Sequence, residues 1–144
     1  MALEISSPIQ FFTEDIDFDL QQSEQIIHWI KSVVIEENWQ LTTINFIFCS
    51  DAYLYKMNMD YLQHDTLTDV ITFYYSTETI EGDIFISIDR VKDNAKDLNI
   101  SFSDELHRVM IHGTLHLLGY GDKTPEEQQE MTTKENFYLN TRAF

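Results

Sequence analysis

Two histidines four residues apart, His112 and His116, and an aspartate further on, Asp122, are the side chains of this sequence best placed to do chemistry. On a helix, residues at i and i+4 lie one above the other, with Cβ atoms about 5–6 Å apart. Two imidazoles so placed can bind one ion. Gly119 ends such a helix and permits a left-handed turn, and Gly121 adds freedom. The chain can then fold back and carry Asp122 to the same ion. Two neutral imidazoles and a carboxylate suit zinc, and also manganese, iron or nickel. Three protein ligands leave one position open for water, as catalytic rather than structural zinc sites do. A metal-bound water can have a pKa near 7 and supply hydroxide at neutral pH. The chemistry so implied is hydrolysis at one divalent ion, with His112, His116 and Asp122 catalytic through metal-bound water.

The stretch also shares the HxxxHxxGxxD frame of the long zinc-protease signature. Those proteases place Glu directly after the first His as general base. Here that place is Gly113, which argues against peptide hydrolysis by the same route. A two-His-one-carboxylate iron oxygenase has the same ligand types. Its ligands ordinarily sit on a β scaffold, so this reading ranks last.

The elements that must position these residues follow from periodicity. Ile9 to Thr13 reads as a short strand, and Asp19 to Glu37 carries apolar residues at helical spacing. Thr43 to Cys49 reads as a buried strand and Asp51 to Leu62 as a helix. Val70 to Tyr75 and Gly82 to Ile88 read as strands joined by a polar hairpin loop. Asp89 to Leu98 predicts another helix. Ser103 reads as the N-cap of the metal helix, which runs to about Leu118 and stops at Gly119. Pro125, Glu126 and Glu127 mark the start of a last helix. The expectation is a small α+β single domain over residues 1–144. Its mixed sheet of about four strands is flanked by about five helices and carries a zincin-like metal helix.

Composition limits the partners. The chain has 144 residues, 43% of them hydrophobic, which suits one globular core. No apolar run approaches the roughly 20 residues of a membrane span. The N-terminus lacks the layout of a signal peptide. The expected location is therefore the cytoplasm, with no membrane partner. The single cysteine, Cys49, lies in an apolar run and reads as a small buried residue rather than a nucleophile. A balance of 25 acidic against 9 basic residues gives a formal charge of −16. Proteins that hold nucleic acid unaided usually show a basic face. Here a partner or the metal must help if the substrate is a polyanion.

The segment RVMIHGTLHLLGYGD, from Arg108, resembles the HGxLHLxGYDH signature of the YbeY family of bacterial endoribonucleases. Asn58 to Phe73, NMDYLQHDTLTDVITF, is similar to that family's NxxYRxxDxPTDVLSF, and Gly82 to Ser87, GDIFIS, to its GDI-type strand. The three blocks run from about Met57 to Asp122 in the family's order. The resemblance implies a four-stranded mixed sheet flanked by helices and a zinc ion. It implies a single-strand endoribonuclease acting in ribosome quality control and ribosomal RNA maturation, including the small-subunit 3′ end. Partners would be ribosomal RNA precursors and ribosomal proteins, not DNA. Three positions depart from the family pattern. Asp122 stands where the third ligand is usually His, Leu62 where the family has Arg, and Leu67 where it has Pro. The nearest replacements for the missing Arg are His64 and Arg108, both candidate catalytic or phosphate-binding residues.

Blander roles stand beside these. Arg108 is expected to pair with Asp104 or Glu105 on its own helix. Asp65 and Asp69 could orient a ligand histidine, or could serve as turn or helix caps. Thr68 and Thr72 could line the cleft. His107, off the ligand face, is expected in solvent, Met131 in the core, and Glu126, Glu127 and Glu130 on a solvated face. The rival readings are a ribosome-assembly factor with a structural metal, motivated by Leu62 and the acidic charge, and a metallopeptidase.

Overall fold

The longest strand, Leu41–Cys49, ends in the apolar run Phe46–Cys49 and lies inside the sheet. In the computed structural model, which describes residues 7–62 and 68–144, this strand (β2) is paired in parallel with neighbours on both sides. A strand covered on both faces needs apolar residues at successive positions, and the run from Phe46 to Cys49 is wholly buried. Its partners are β1 (Ile9–Thr13) and β4 (Ile80–Ser87); β3 (Val70–Tyr74) pairs antiparallel with β4 and forms an edge, giving the order β1-β2-β4-β3. The helices are α1 (Ser23–Glu36), α2 (Asp51–Leu62), α3 (Ile88–Leu98), α4 (Phe102–Leu117) and α5 (Pro125–Leu139). The expected α+β class, with four strands and five helices among the described residues, is the observed one.

Several boundaries shift from the expected ones. The α4 N-cap is Ser101, not Ser103: its hydroxyl accepts from the Asp104 amide at 3.0 Å, which leaves Ser103 inside the first turn. Gln22, at φ 59°, places the start of α1 at Ser23 rather than Asp19. β2 begins at Leu41, and β4 begins at Ile80 because Ile80 pairs with Leu41 and is buried. Ile88 opens α3 instead of closing β4, since Ser87 caps that helix by accepting from the Arg90 amide at 3.1 Å.

α4 lies across β3 and β4, flanked by α3 and α5. Gly113 permits this approach, because a Cβ there would stand 2.7 Å from Cγ2 of Ile84 on β4. Met110, Ile111 and Leu115 of α4 are fully buried in the main core with Phe46, Ile84 and Ile86. Truncating any one to alanine costs about 2–5 kcal/mol. This leaves the His112 and His116 side of α4 turned toward the sheet edge. A smaller cluster of Cys49, Leu54 and Ile71 lies under α2. Cys49 is buried, and burial pushes its thiol up to about 12, so it is no nucleophile. No helix among the described residues is long and apolar enough to cross a membrane.

Candidate metal centre

The turn after α4 does what its glycine suggests. Gly119 has φ +103°, a conformation costly for any residue with a Cβ. Its amide donates to the His116 carbonyl at 3.0 Å and the Tyr120 amide to the Leu115 carbonyl at 3.0 Å. These two bonds make a Schellman motif, which reverses the chain and satisfies two orphan carbonyls. The reversal brings Asp122 back to the helix. Its Oδ2 lies 3.4 Å from Nε2 of His112 and 3.2 Å from Nε2 of His116, and the two Nε2 atoms are 3.0 Å apart.

The hydrogen bonds behind the rings fix which nitrogen faces the centre. Nδ1 of His116 lies 2.9 Å from the Tyr120 carbonyl, which can only accept. The proton of His116 therefore sits on Nδ1 and its Nε2 lone pair points inward. Nδ1 of His112 lies 2.6 Å from a Glu135 carboxylate oxygen, which sets the same tautomer. Three lone pairs thus converge from three side chains. Tetrahedral ligands bound at 2.0–2.1 Å stand about 3.3 Å from one another. The observed edges fit that spacing, so this trio of half-buried residues could hold a metal ion. Burial opposes positive charge on His112, but the hydrogen bond and charge of Glu135 outweigh it and hold the imidazole above its ordinary value. The same carboxylate makes the ring a stronger electron donor.

The trio opens into a cleft of about 430 Å³, lined also by Asn58, Thr68, Asp69, Thr72 and Lys123. Thr68 and Thr72 are thus cleft residues, with the Thr68 hydroxyl donating to the Val70 carbonyl at 3.2 Å. Asp69 lies in the cleft, but its carboxylate bonds Asn94 at 3.4 Å and not a ligand histidine. The group that orients His112 is Glu135, which no sequence signal marked. It stands 23 residues away on another helix. A larger recess of about 510 Å³ is walled by Tyr53, Tyr61, Phe73 and Phe85 and contains none of the trio.

Arg108 stands behind His112 and does not line the cleft. Its Nε donates to Glu105 at 2.8 Å, Nη2 pairs with the same carboxylate, and Nη1 lies 3.4 Å from Glu135. His64 and Asp65 fall outside the described residues. His107, expected in solvent, is buried at 5% exposure against Trp29 and Phe144. Its side of α4 is covered by the chain's C-terminal residues, which helical spacing does not reveal. Met131 is in the core as expected.

Fold and site together define a small mixed-sheet domain in which one helix and the turn that follows it bring together three side chains that could hold a metal ion. Residues 8–143 match the family model described as Endoribonuclease YbeY, and the chain belongs to that family. It is 56% identical over 133 residues to the Endoribonuclease YbeY of Amoebophilus asiaticus, covering 91% of this chain and 90% of the relative. It is 50% identical over 138 residues to that of Cytophaga hutchinsonii, covering 94% and 96%. A Thermotoga maritima protein solved in solution superposes with a TM-score of 0.64 at 28% identity, covering 92% of this chain and 87% of the other.

Proposed function

We propose that this chain is a zinc-dependent, single-strand endoribonuclease, one domain over residues 1–144. It would act in the cytoplasm on ribosomal RNA precursors, including the small-subunit 3′ end, and in ribosome quality control. The observation that carries the reading is the inward convergence of His112, His116 and Asp122 in a chain of the YbeY family. A zinc ion bound there supplies Lewis-acid charge for a phosphate and lowers the pKa of water. The chain's own residues bind and orient. His112 and His116 present neutral Nε2 atoms because Glu135 and the Tyr120 carbonyl hold their protons on Nδ1. Asp122 adds a negative charge where the family usually has a neutral His, which weakens the ion as an acid. Lys123, lining the cleft, is the cation placed to meet a substrate phosphate. Arg108 serves behind the site, as a counter-charge. His64 remains a candidate acid, base or phosphate donor.

The formal charge of −16 favours help from ribosomal proteins in holding the RNA. The test is to purify the protein without chelators, measure bound metal, and incubate it with single-stranded RNA and with peptides, beside His116→Ala. The expected outcome is internal RNA cleavage by wild type alone, with peptides intact. RNA cleavage of equal rate by His116→Ala would sink the reading. Intact RNA with retained binding to ribosomal particles would transfer support to the assembly-factor reading.

A further inference from the structure

The geometry points to Glu135 as a positioning residue of the metal centre, reached through His112 and held in place by Arg108 and Glu105. The inference rests on the metal-site reading above and adds a residue on a different helix. Glu135 lies on α5, and its carboxylate is 6% exposed. One oxygen accepts from the His112 Nδ1–H at 2.6 Å, and the other faces Arg108 Nη1 at 3.4 Å. Arg108 cannot swing away, because the fully buried Glu105 binds its Nε and Nη2. The order along the network is Glu105, Arg108, Glu135, His112, then the open centre.

Two features separate this network from ordinary packing. A buried carboxylate keeps its charge only when paired, since isolated burial costs several kcal/mol. Glu105 and Glu135 bring two negative charges to the one guanidinium of Arg108. The side chain left to share the remaining charge is His112, whose other nitrogen faces the metal position. A cation there would be paired to Glu135 through the ring, so the carboxylate should favour metal binding. The second feature is direction. The Glu135 contact fixes both the ring rotation and the tautomer that aims Nε2 at His116 and Asp122.

α5 also braces the other histidine. Lys134, adjacent to Glu135, donates to Glu37 at 3.0 Å, and the Tyr120 and Tyr138 hydroxyls donate to the same carboxylate. Tyr120 is the residue whose carbonyl holds His116. Neighbouring residues of one helix thus support both imidazoles from behind. A capping box sets where that helix begins: the Thr124 hydroxyl accepts from the Glu127 amide at 3.1 Å and the Glu127 carboxylate from the Thr124 amide at 3.0 Å.

The experiment uses the whole chain and zinc alone as probe. Zinc affinity is measured by competition with a chromophoric chelator for wild type, Glu135→Gln and Glu135→Ala. The apo-protein melting temperature is recorded beside each. Loss of such an outer partner typically costs 10–100-fold in metal affinity. Glu135→Gln keeps an acceptor but loses the charge, and should fall near the lower bound of about tenfold. Glu135→Ala loses both and should approach about 100-fold. The melting temperature of each apo variant separates a lost ring orientation from a lost fold, because affinities are compared at a temperature where every variant is folded. A long-range ¹H–¹⁵N spectrum of the apo protein, recorded above the imidazole titration range, supplies the second readout. His112 should be the Nδ1–H tautomer in wild type and Glu135→Gln, and a mixture in Glu135→Ala. Zinc affinities within twofold of wild type for both variants would overturn the proposal while leaving the metal site standing. A wild type that binds no zinc would overturn the site and the proposal together. Failure to cut RNA with the affinity series intact would overturn only the assigned reaction.

Discussion

His107 and His112 are the same residue type on the same helix, five positions apart, in opposite settings. The Nδ1 of His112 meets a carboxylate, that of Glu135, at 2.6 Å. The Nδ1 of His107 meets a cation, Arg142 Nη1, at 2.7 Å, so there the ring accepts. Burial and then the Arg142 charge push His107 down to about 4, while Glu135 holds His112 above the ordinary value. His107 packs edge-on against Trp29 and Phe144 and serves as a neutral core residue. His112 faces a cleft with its lone pair free. A histidine's role is therefore set less by its exposure than by what its second nitrogen is given.

The largest effect should come from exchanging the two histidines for alanine. His112→Ala should lose bound metal and RNA cleavage together. His107→Ala should cost about 2–4 kcal/mol of stability by leaving a cavity, yet keep its metal. Elemental analysis and denaturant unfolding separate the two, and metal loss in His107→Ala alone would break the contrast. Next comes pH. His107 falls from 6.5 to about 4 on folding, so between those values the unfolded chain binds more protons. Its contribution is fully present above about pH 6.5 and is lost as pH falls toward 4, amounting to as much as roughly 3 kcal/mol. His107→Gln should flatten that part of the stability–pH curve, and an unchanged slope would contradict the assignment. The smallest effect concerns the helix that serves His112 alone of the two. Thr124→Ala removes the α5 capping box and should cost about 1 kcal/mol while shifting zinc affinity by less than threefold. A larger drop in affinity would mean that the frayed end of α5 reaches Glu135.

Much of this was legible in the chain itself. The candidate metal trio needed only the four-residue spacing of His112 and His116 and the glycine of the turn, both local. The order of elements followed from apolar periodicity, with ends misplaced where a cap decided the boundary, as at Ser101 and Ser87. What stayed hidden had no local signal. Glu135 stands in no motif, and Asp69, one of two acids that could orient a ligand histidine or cap a turn, bonds Asn94 instead. Arg108 did find Glu105 as its helical spacing suggested, but its second partner came from α5.

The sequence by itself determined which atoms can bind a metal and that two of them share a helix face, because 3.6 residues per turn fix that geometry without help from the rest of the chain. It also determined the reversal at Gly119, because only a residue without a Cβ takes that backbone angle cheaply. The tertiary structure decided which nitrogen each imidazole offers, which carboxylate backs it, and which histidine is walled into the core. Those outcomes depend on helices docking across 23 residues or more, where side-chain partners are chosen by packing and charge balance rather than by any repeat in the chain.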